Sequence, residues 1–266
     1  MRAVGVGLLT GWGAGVAALP DDARQAAGGR RIVTIARPPL EGERFRRATR
    51  ECLLAVAAVD AALRDAGLDR APVAGSRTAL VYVTAAAYGA SNKAFIGDAR
   101  GGAIYFPYTA PSAVPAEVAI EYGLTGGYVI LVGGAAATVD ALWQAGTLLA
   151  AGRCDRALVV AVETFDECGE LWARGRWATP RPLVEAAACA VLTADGGSPG
   201  YGPGGDAVSA LEAQAMRRAG ETLACGPLVG LALARDAGAV AARLTGTWRG
   251  RRAGVALDVV AQAASA

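Results

Sequence analysis

The chain has 266 residues, of which 53% are hydrophobic and 19% charged, with a formal net charge of +2. Such a chain buries most of its unfolded apolar surface, which fits one large domain or two fused halves and excludes a disordered polypeptide. The near-neutral balance speaks against a dedicated nucleic-acid binder. Histidine is absent altogether, so a Ser/His/Asp triad, a Cys/His pair, an HExxH site and any histidine metal ligand are excluded.

Nearly all the positive charge is arginine, and Lys93 is the only lysine. The five cysteines (Cys52, Cys154, Cys168, Cys189 and Cys225) are scattered, odd in number and without a CxxC pair. They suggest neither a zinc site nor a disulfide framework. Met1 leads into a strand-like run rather than a signal sequence. Tyr122 to Val139 carries no charge over eighteen residues, but five glycines divide it into a strand and a turn, which suits a buried core better than lipid. The expectation is a cytoplasmic protein with no cofactor, no metal, no membrane and no nucleic acid.

In chain order, Ala3 to Leu9 reads as a buried strand closed by Thr10-Gly11-Trp12-Gly13. The glycines at 5, 7, 11, 13 and 15 miss the spacing of a dinucleotide-binding loop. Arg47 to Ala66 predicts a helix with Gly67 as its C-cap. Ala79 to Val83 is a strand, Pro115 to Tyr122 a short helix ended by Gly123, and Tyr128 to Val132 a continuous apolar strand expected to be buried on both faces. Ala136 to Ala150 is an almost wholly apolar helix, expected to be buried on all sides and stopped by Gly152. Arg156 to Val162 and Ala186 to Thr193 are further buried strands. The loop from Asp195 to Asp206, with six glycines and two prolines, marks an internal boundary. Beyond it the pattern gives one helix over Leu223 to Ala237 and a last strand near Gly254 to Val260.

Strand, tight turn and buried helix around Gly133-Gly134-Ala135 make a nucleophile elbow, whose tip sits at a helix N-terminus that favours an anion. The tip residue is alanine. Gly196 to Gly200 matches the GxSxG pattern by chance, since a glycine loop rather than a helix follows it.

Several spaced segments, in order, resemble the beta-ketoacyl synthases of the thiolase superfamily, and among them the chain-length factors of type II polyketide synthases. GVGLLTGWG resembles the first strand and turn of that family, and FRRATRECLLAVAAVDAALRDAGLD its following helix. APSAVPAEVAIEYGLTG resembles the segment before the nucleophile strand. AAATVDALWQAGTLLAAGRCDRALVVAVE resembles CxSGxxAxxxAxxxIxxGxxDxxLxGGxE, which places the family's nucleophilic cysteine on Ala135. The family's two histidines are missing, part of the insert after Arg181-Pro182 is absent, and only about seventy residues remain for the C-terminal half. LACGPLVGLALARDAG and GVALDVV resemble remnants of that half. Its shortness resembles the partners found in highly reducing, polyene-making systems.

The resemblance implies an α/β thiolase-like layered fold with a complete N-terminal half (1–195), a Gly/Pro-rich loop (196–206) and a truncated C-terminal half (207–266). It implies a subunit without catalytic residues that forms a heterodimer with a ketosynthase through the strand at Tyr128 to Val132 and caps its acyl tunnel. An acyl carrier protein would dock mainly on the ketosynthase. Tunnel and interface candidates are Phe106, Tyr108, Thr109, Ser112, Tyr128, Ile130, Asp140 and Trp143. Tyr105, Phe106, Tyr108, Thr109 and Ser112 read equally as a steric floor or as an ordinary aromatic interface. Asp140 and Gln144, one turn apart, read as a satisfied core or interface pair or as a tunnel lining, and Trp143 as core. Arg44, Arg46, Arg47 and Arg50, and separately Arg249, Arg251 and Arg252, are basic clusters that suit a solvated face or an acidic carrier. The cysteines read as buried and structural. The alternatives are an acyltransferase or thioesterase using one of them, and a homodimeric binding module.

Overall fold

The computed structural model describes residues 1–97, 106–165, 181–197, 200–205 and 208–260. Its first strand, β1 (Arg2–Thr10), explains the glycines that mimic a nucleotide loop. Helix α2 (Arg50–Asp65) lies so close that a Cβ on Gly5 or Gly7 would overlap the backbone of Ala58 or Ala62. The small residues of β1 and the alanines of α2 therefore exist for each other, and the spacing is a packing signal rather than a phosphate cradle.

The main sheet runs β10 (Ala241–Trp248), β11 (Arg251–Val259), β1, β8 (Ala186–Thr193), β6 (Arg156–Glu163), β4 (Thr78–Thr84), β5 (Tyr128–Val132). Short strands β2 (Gly13–Ala14) and β9 (Gly200–Gly202) flank β1 and β11, and β3 (Ile32–Val33) pairs with β7 (Leu183–Val184) in a separate parallel ladder. The sheet is mixed: β11–β1, β6–β4 and β4–β5 are parallel, while β1–β8, β8–β6 and β10–β11 are antiparallel.

Alternate residues of the central strands enter two cores, as the two-residue period of a strand requires. Val81, Val159 and Ala188 face α5 (Ala135–Ala150) and α7 (Gly226–Asp236) on one side. Leu80, Leu158 and Cys189 face α2 and α4 (Ala113–Tyr122) on the other. Short helices α1 (Ala23–Ala27) and α3 (Gly89–Gly97) lie outside these layers, and α6 (Ala210–Ala219) packs on α7.

Four expectations are corrected. The helix expected from Arg47 begins at Arg50, after a 3-10 turn over Glu43–Arg47. The last segment holds two helices and a hairpin rather than one helix and one strand. The signal for α6 is a capping box, in which Ser209 Oγ accepts from the Glu212 amide at 3.2 Å. The hairpin turns at Arg249 and Gly250, both with positive φ, the pair of conformations a two-residue hairpin loop demands. Strand β5 is not buried on both faces: it is a sheet edge, with Tyr128 43% and Val132 59% exposed. Helix α5 is not buried all round either. Trp143, Thr147 and Ala150 form an exposed stripe.

Glu185, fully buried beside β8, ties four segments together. Its carboxylate accepts from the Ile35 and Phe165 amides, both at 2.8 Å, and makes a two-armed ion pair with Arg50. Removing one partner of a buried pair leaves the other charge without compensation. Glu185→Ala should cost about 3–5 kcal/mol in urea unfolding, whereas Arg64→Ala, at an exposed ion pair, should cost less than about 1 kcal/mol.

Candidate functional site

The elbow is built as the sequence predicts, with alanine at its tip. Strand β5 ends at Val132, Gly133 and Gly134 turn, and Ala135 opens α5. Gly134 has φ −89°, so the backbone does not call for glycine there. The reason is the Trp248 indole, whose ring occupies the place a Cβ would take. On the same strand, a Cβ on Gly246 would lie 2.5 Å from the Ala135 carbonyl carbon. The tip of the β10–β11 hairpin is thus pressed onto the elbow, and two glycines make the contact possible.

Behind the elbow stands Glu163 at the end of β6, wholly buried. It accepts from the amides of Ala85 (2.6 Å), Ala86 (2.9 Å) and Ala224 (3.2 Å). Thr138 Oγ1 of α5 donates to the Ala224 carbonyl at 2.5 Å. One carboxylate thereby links the ends of β4 and β6 to the 3-10 turn Leu223–Cys225, and that turn to α5. Burial pushes its pKa up to about 8, against the amides, which favour the charged form.

A cavity of about 370 Å³ opens beside Ala135. Thr222, Thr245, Thr247, Glu212, Glu221 and Arg252 give it polar walls, and Leu223 and Pro227 apolar ones. Glu212 is engaged by Thr245 Oγ1 at 2.7 Å, Thr247 Oγ1 at 3.3 Å and Arg252 Nη2 at 3.1 Å. Glu221, whose pKa burial raises, accepts from the Leu223 amide at 3.1 Å. Claisen condensation needs a thiolate to hold the acyl group and donors for the enolate. Ala135 offers a methyl group. Among the described residues no cluster of His, Cys, Asp or Glu is arranged to hold a metal, and no helix is long and apolar enough to cross a membrane.

The described cysteines do not replace the missing thiol. Cys52, Cys154, Cys189 and Cys225 are buried and free. Desolvation raises all four pKa values, that of Cys52 to about 12, which suppresses the thiolate. Cys168 lies outside the described residues, as does Tyr105.

The eight tunnel and interface candidates fall into two groups on opposite faces of β5. Phe106, Tyr108, Thr109, Ser112, Tyr128 and Ile130 gather on the α4 side. The Tyr128 hydroxyl donates to the Ser112 carbonyl at 3.0 Å, Asn92 Nδ2 to the Thr109 carbonyl at 3.1 Å, and Phe106, 64% exposed, meets Phe95 at a centroid distance of 5.8 Å. Ile130 and Tyr108 pack against the core beneath. Asp140 and Trp143 belong elsewhere. Trp143 is not core: it is 38% exposed and stacks on Tyr201 of β9 at 4.8 Å. Asp140 does not pair with Gln144. It accepts from the Tyr201 hydroxyl at 2.7 Å and from both terminal nitrogens of Arg251, fastening β9 and β11 to α5.

The sequence-adjacent basic clusters are largely neutralised from within. Arg44 pairs with Glu117 and Glu121, Arg46 with Glu43, Arg50 with Glu185, Arg251 with Asp140 and Arg252 with Glu212. Arg249 lies over the Trp248 ring.

A mixed sheet covered by helices on both faces, with an elbow that feeds a helix in one layer, is the thiolase-like α/β architecture. Residues 38–204 match the family described as "Beta-ketoacyl synthase, N-terminal domain", and the chain belongs to that family. Among solved structures, it is similar to a type II polyketide synthase acyl-carrier protein in complex with its ketosynthase, AntDE:AntF (14% identity, TM-score 0.77, 96% of this chain and 98% of that one). It is similar to the ishigamide ketosynthase/chain length factor (18% identity, TM-score 0.67, 96% and 97%). A beta-ketoacyl synthase from Burkholderia phymatum STM815 matches at 14% identity and TM-score 0.72, over 96% and 98%. At these identities the likeness is one of fold. No curated protein matches the sequence.

Two measurements probe this site. Gly134→Ala should destabilise the fold by about 1–3 kcal/mol through overpacking, and Trp248→Ala in the same chain should recover part of that loss in a double-mutant cycle of denaturant midpoints. Glu163 stays protonated in the folded state above pH 4.5, where the unfolded chain has ionised. Its contribution to stability therefore falls as pH rises from about 4.5 to about 8 and levels off above. Glu163→Gln should flatten that slope in urea midpoints taken across the range.

Proposed function

We propose that the chain is a non-catalytic ketosynthase-like subunit, a chain-length factor that forms a heterodimer with an active ketosynthase and shapes or caps its acyl tunnel. The observation that carries this reading is the intact elbow with Ala135 at its tip. A scaffold kept to this degree while its nucleophile is a methyl group has a use other than condensation. The edge strand β5 supports the reading, because its outer hydrogen-bonding side pairs with no strand among the described residues, and such an edge invites a strand from another chain. Phe106, Tyr128 and Val132 add exposed apolar surface along it, the kind that marks an interface.

In this role Phe106, Tyr108, Thr109 and Ser112 on one face of the edge contribute to the floor that limits the growing chain. Asp140 and Trp143 brace the opposite side. A polyene-type product, a cytoplasmic setting and the division into residues 1–195, 196–206 and 207–266 belong to the same proposal. An acyltransferase or thioesterase based on a buried described cysteine is disfavoured by the raised thiol pKa values.

Co-expression with a candidate partner ketosynthase, followed by light scattering behind size exclusion, should give a 1:1 complex. Tyr128→Asp with Val132→Asp should abolish that complex. Phe106→Ala or Tyr108→Ala should keep it and lengthen the product. A stable homodimer that ignores the ketosynthase, or condensation by the chain alone, would sink the proposal.

A further inference from the structure

The 3-10 turn Leu223–Cys225 combines backbone strain with two acids that water reaches poorly. Leu223 adopts φ 45°, a left-handed conformation that a leucine rarely takes. Glu163 is wholly buried and Glu221 partly so, and they grip the turn by adjacent amides. Glu221 accepts from Leu223 at 3.1 Å, and Glu163 from Ala224 at 3.2 Å. Thr138 Oγ1 of α5 donates to the Ala224 carbonyl at 2.5 Å, and Cys225 Sγ lies 3.4 Å from the Ala186 carbonyl. Cys225 itself is buried and free. A strained turn held shut by hydrogen bonds from other segments has an open alternative within reach.

The two acids decide what pH does to this turn. Ionising a carboxyl group out of water is costly unless its surroundings replace the lost hydration. For Glu163 the amides of Ala85, Ala86 and Ala224 do so only in part, and burial holds its pKa up at about 8. Burial also raises that of Glu221, against the Leu223 amide and the nearby Arg181, while Glu212 adds to the rise. Among the described residues, Tyr82 of β4 and Cys225 are the titratable groups whose charge bears on Glu163, and burial keeps both neutral. Glu185, the acid next along the sheet, is paired with Arg50. An open turn lets water reach Glu163 and Glu221, which then titrate near the ordinary value of 4.5. The closed turn therefore keeps its full advantage below pH 4.5 and loses it as pH rises to about 8.

We infer that the turn Leu223–Cys225 is a pH-sensitive latch, which opens locally when Glu163 and Glu221 lose their protons and thereby exposes the Cys225 thiol. In the open form Leu223 leaves its strained conformation, and Ala224 gives up its bonds to Glu163 and Thr138. Leu223 also lines the cavity beside Ala135, so the state of the latch changes the shape of that wall. The inference stands apart from the proposed role, because it concerns the chain's own motion and holds with or without a ketosynthase.

Alkylation of the purified protein by iodoacetamide, mapped by mass spectrometry of its peptides, reads the latch. Dividing each rate by that of the same reagent with a free cysteine peptide removes the thiol's own dependence on pH. Cys225 should then react faster than Cys189, which lies in the middle of β8 between two strands and opens only with the whole fold. Its corrected rate should rise about tenfold or more between about pH 6 and about pH 8. Glu163→Gln should flatten that rise and Glu221→Gln should reduce it, so either variant serves should the other fail to fold. Thr138→Val should raise the rate several-fold at every pH and leave the slope unchanged. Circular dichroism and melting check the fold of each variant. A corrected rate for Cys225 no higher than that for Cys189, a rate that ignores pH, or a slope that persists in the folded glutamate variants would overturn the inference.

Discussion

The buried carboxyl group of Glu163 holds the elbow region in place. A carboxyl group taken out of water is costly unless it is hydrogen-bonded, and here the donors come from chain segments that otherwise have no reason to meet. Ala85 and Ala86 leave β4, Ala224 belongs to the turn before α7, and Thr138 on α5 bonds back to the Ala224 carbonyl. Strand ends, turn and elbow helix therefore form one hydrogen-bonded unit. Glu185, with Arg50 and the Ile35 and Phe165 amides, plays the same part for the α2 side. The sheet supplies hydrophobic area, and these two acids position its loops.

This division explains how position 135 can carry alanine while the fold stays. Residue 135 carries little packing of its own, since it is only partly buried and faces a cavity. Its neighbours carry the packing. Gly134 accommodates the Trp248 indole, and Gly246 lets the hairpin reach the Ala135 backbone. A side chain whose only task is reaction is dispensable for stability, whereas the glycines around it are held by contact.

What could be read in the sequence follows the same line. The central strands were legible because runs such as Arg156–Glu163 and Ala186–Thr193 are buried on both faces and leave no ambiguity of period. β5 has the same apolar composition yet lies at a sheet edge, because composition does not show which strand ends a sheet. Trp143 differs from its expected core position for a related reason. Its partner Tyr201 lies 58 residues away in a strand of three residues, within a loop whose glycines conceal it.

The elbow and the sheet edge are parts of one strand, and this bears on how the proposed subunit would act. Strand β5 presents one edge to β4 and the other outward, and its last residue leads directly into the turn at Gly133. A chain paired on the outer edge would add its backbone hydrogen bonds to the strand that carries the elbow. Pairing would thereby restrain α5, its Thr138 link to the Leu223–Cys225 turn and the cavity beside Ala135 as one body. In the proposed role, a partner would in this way sense the position of the elbow, and the elbow's stiffness would be what this chain contributes.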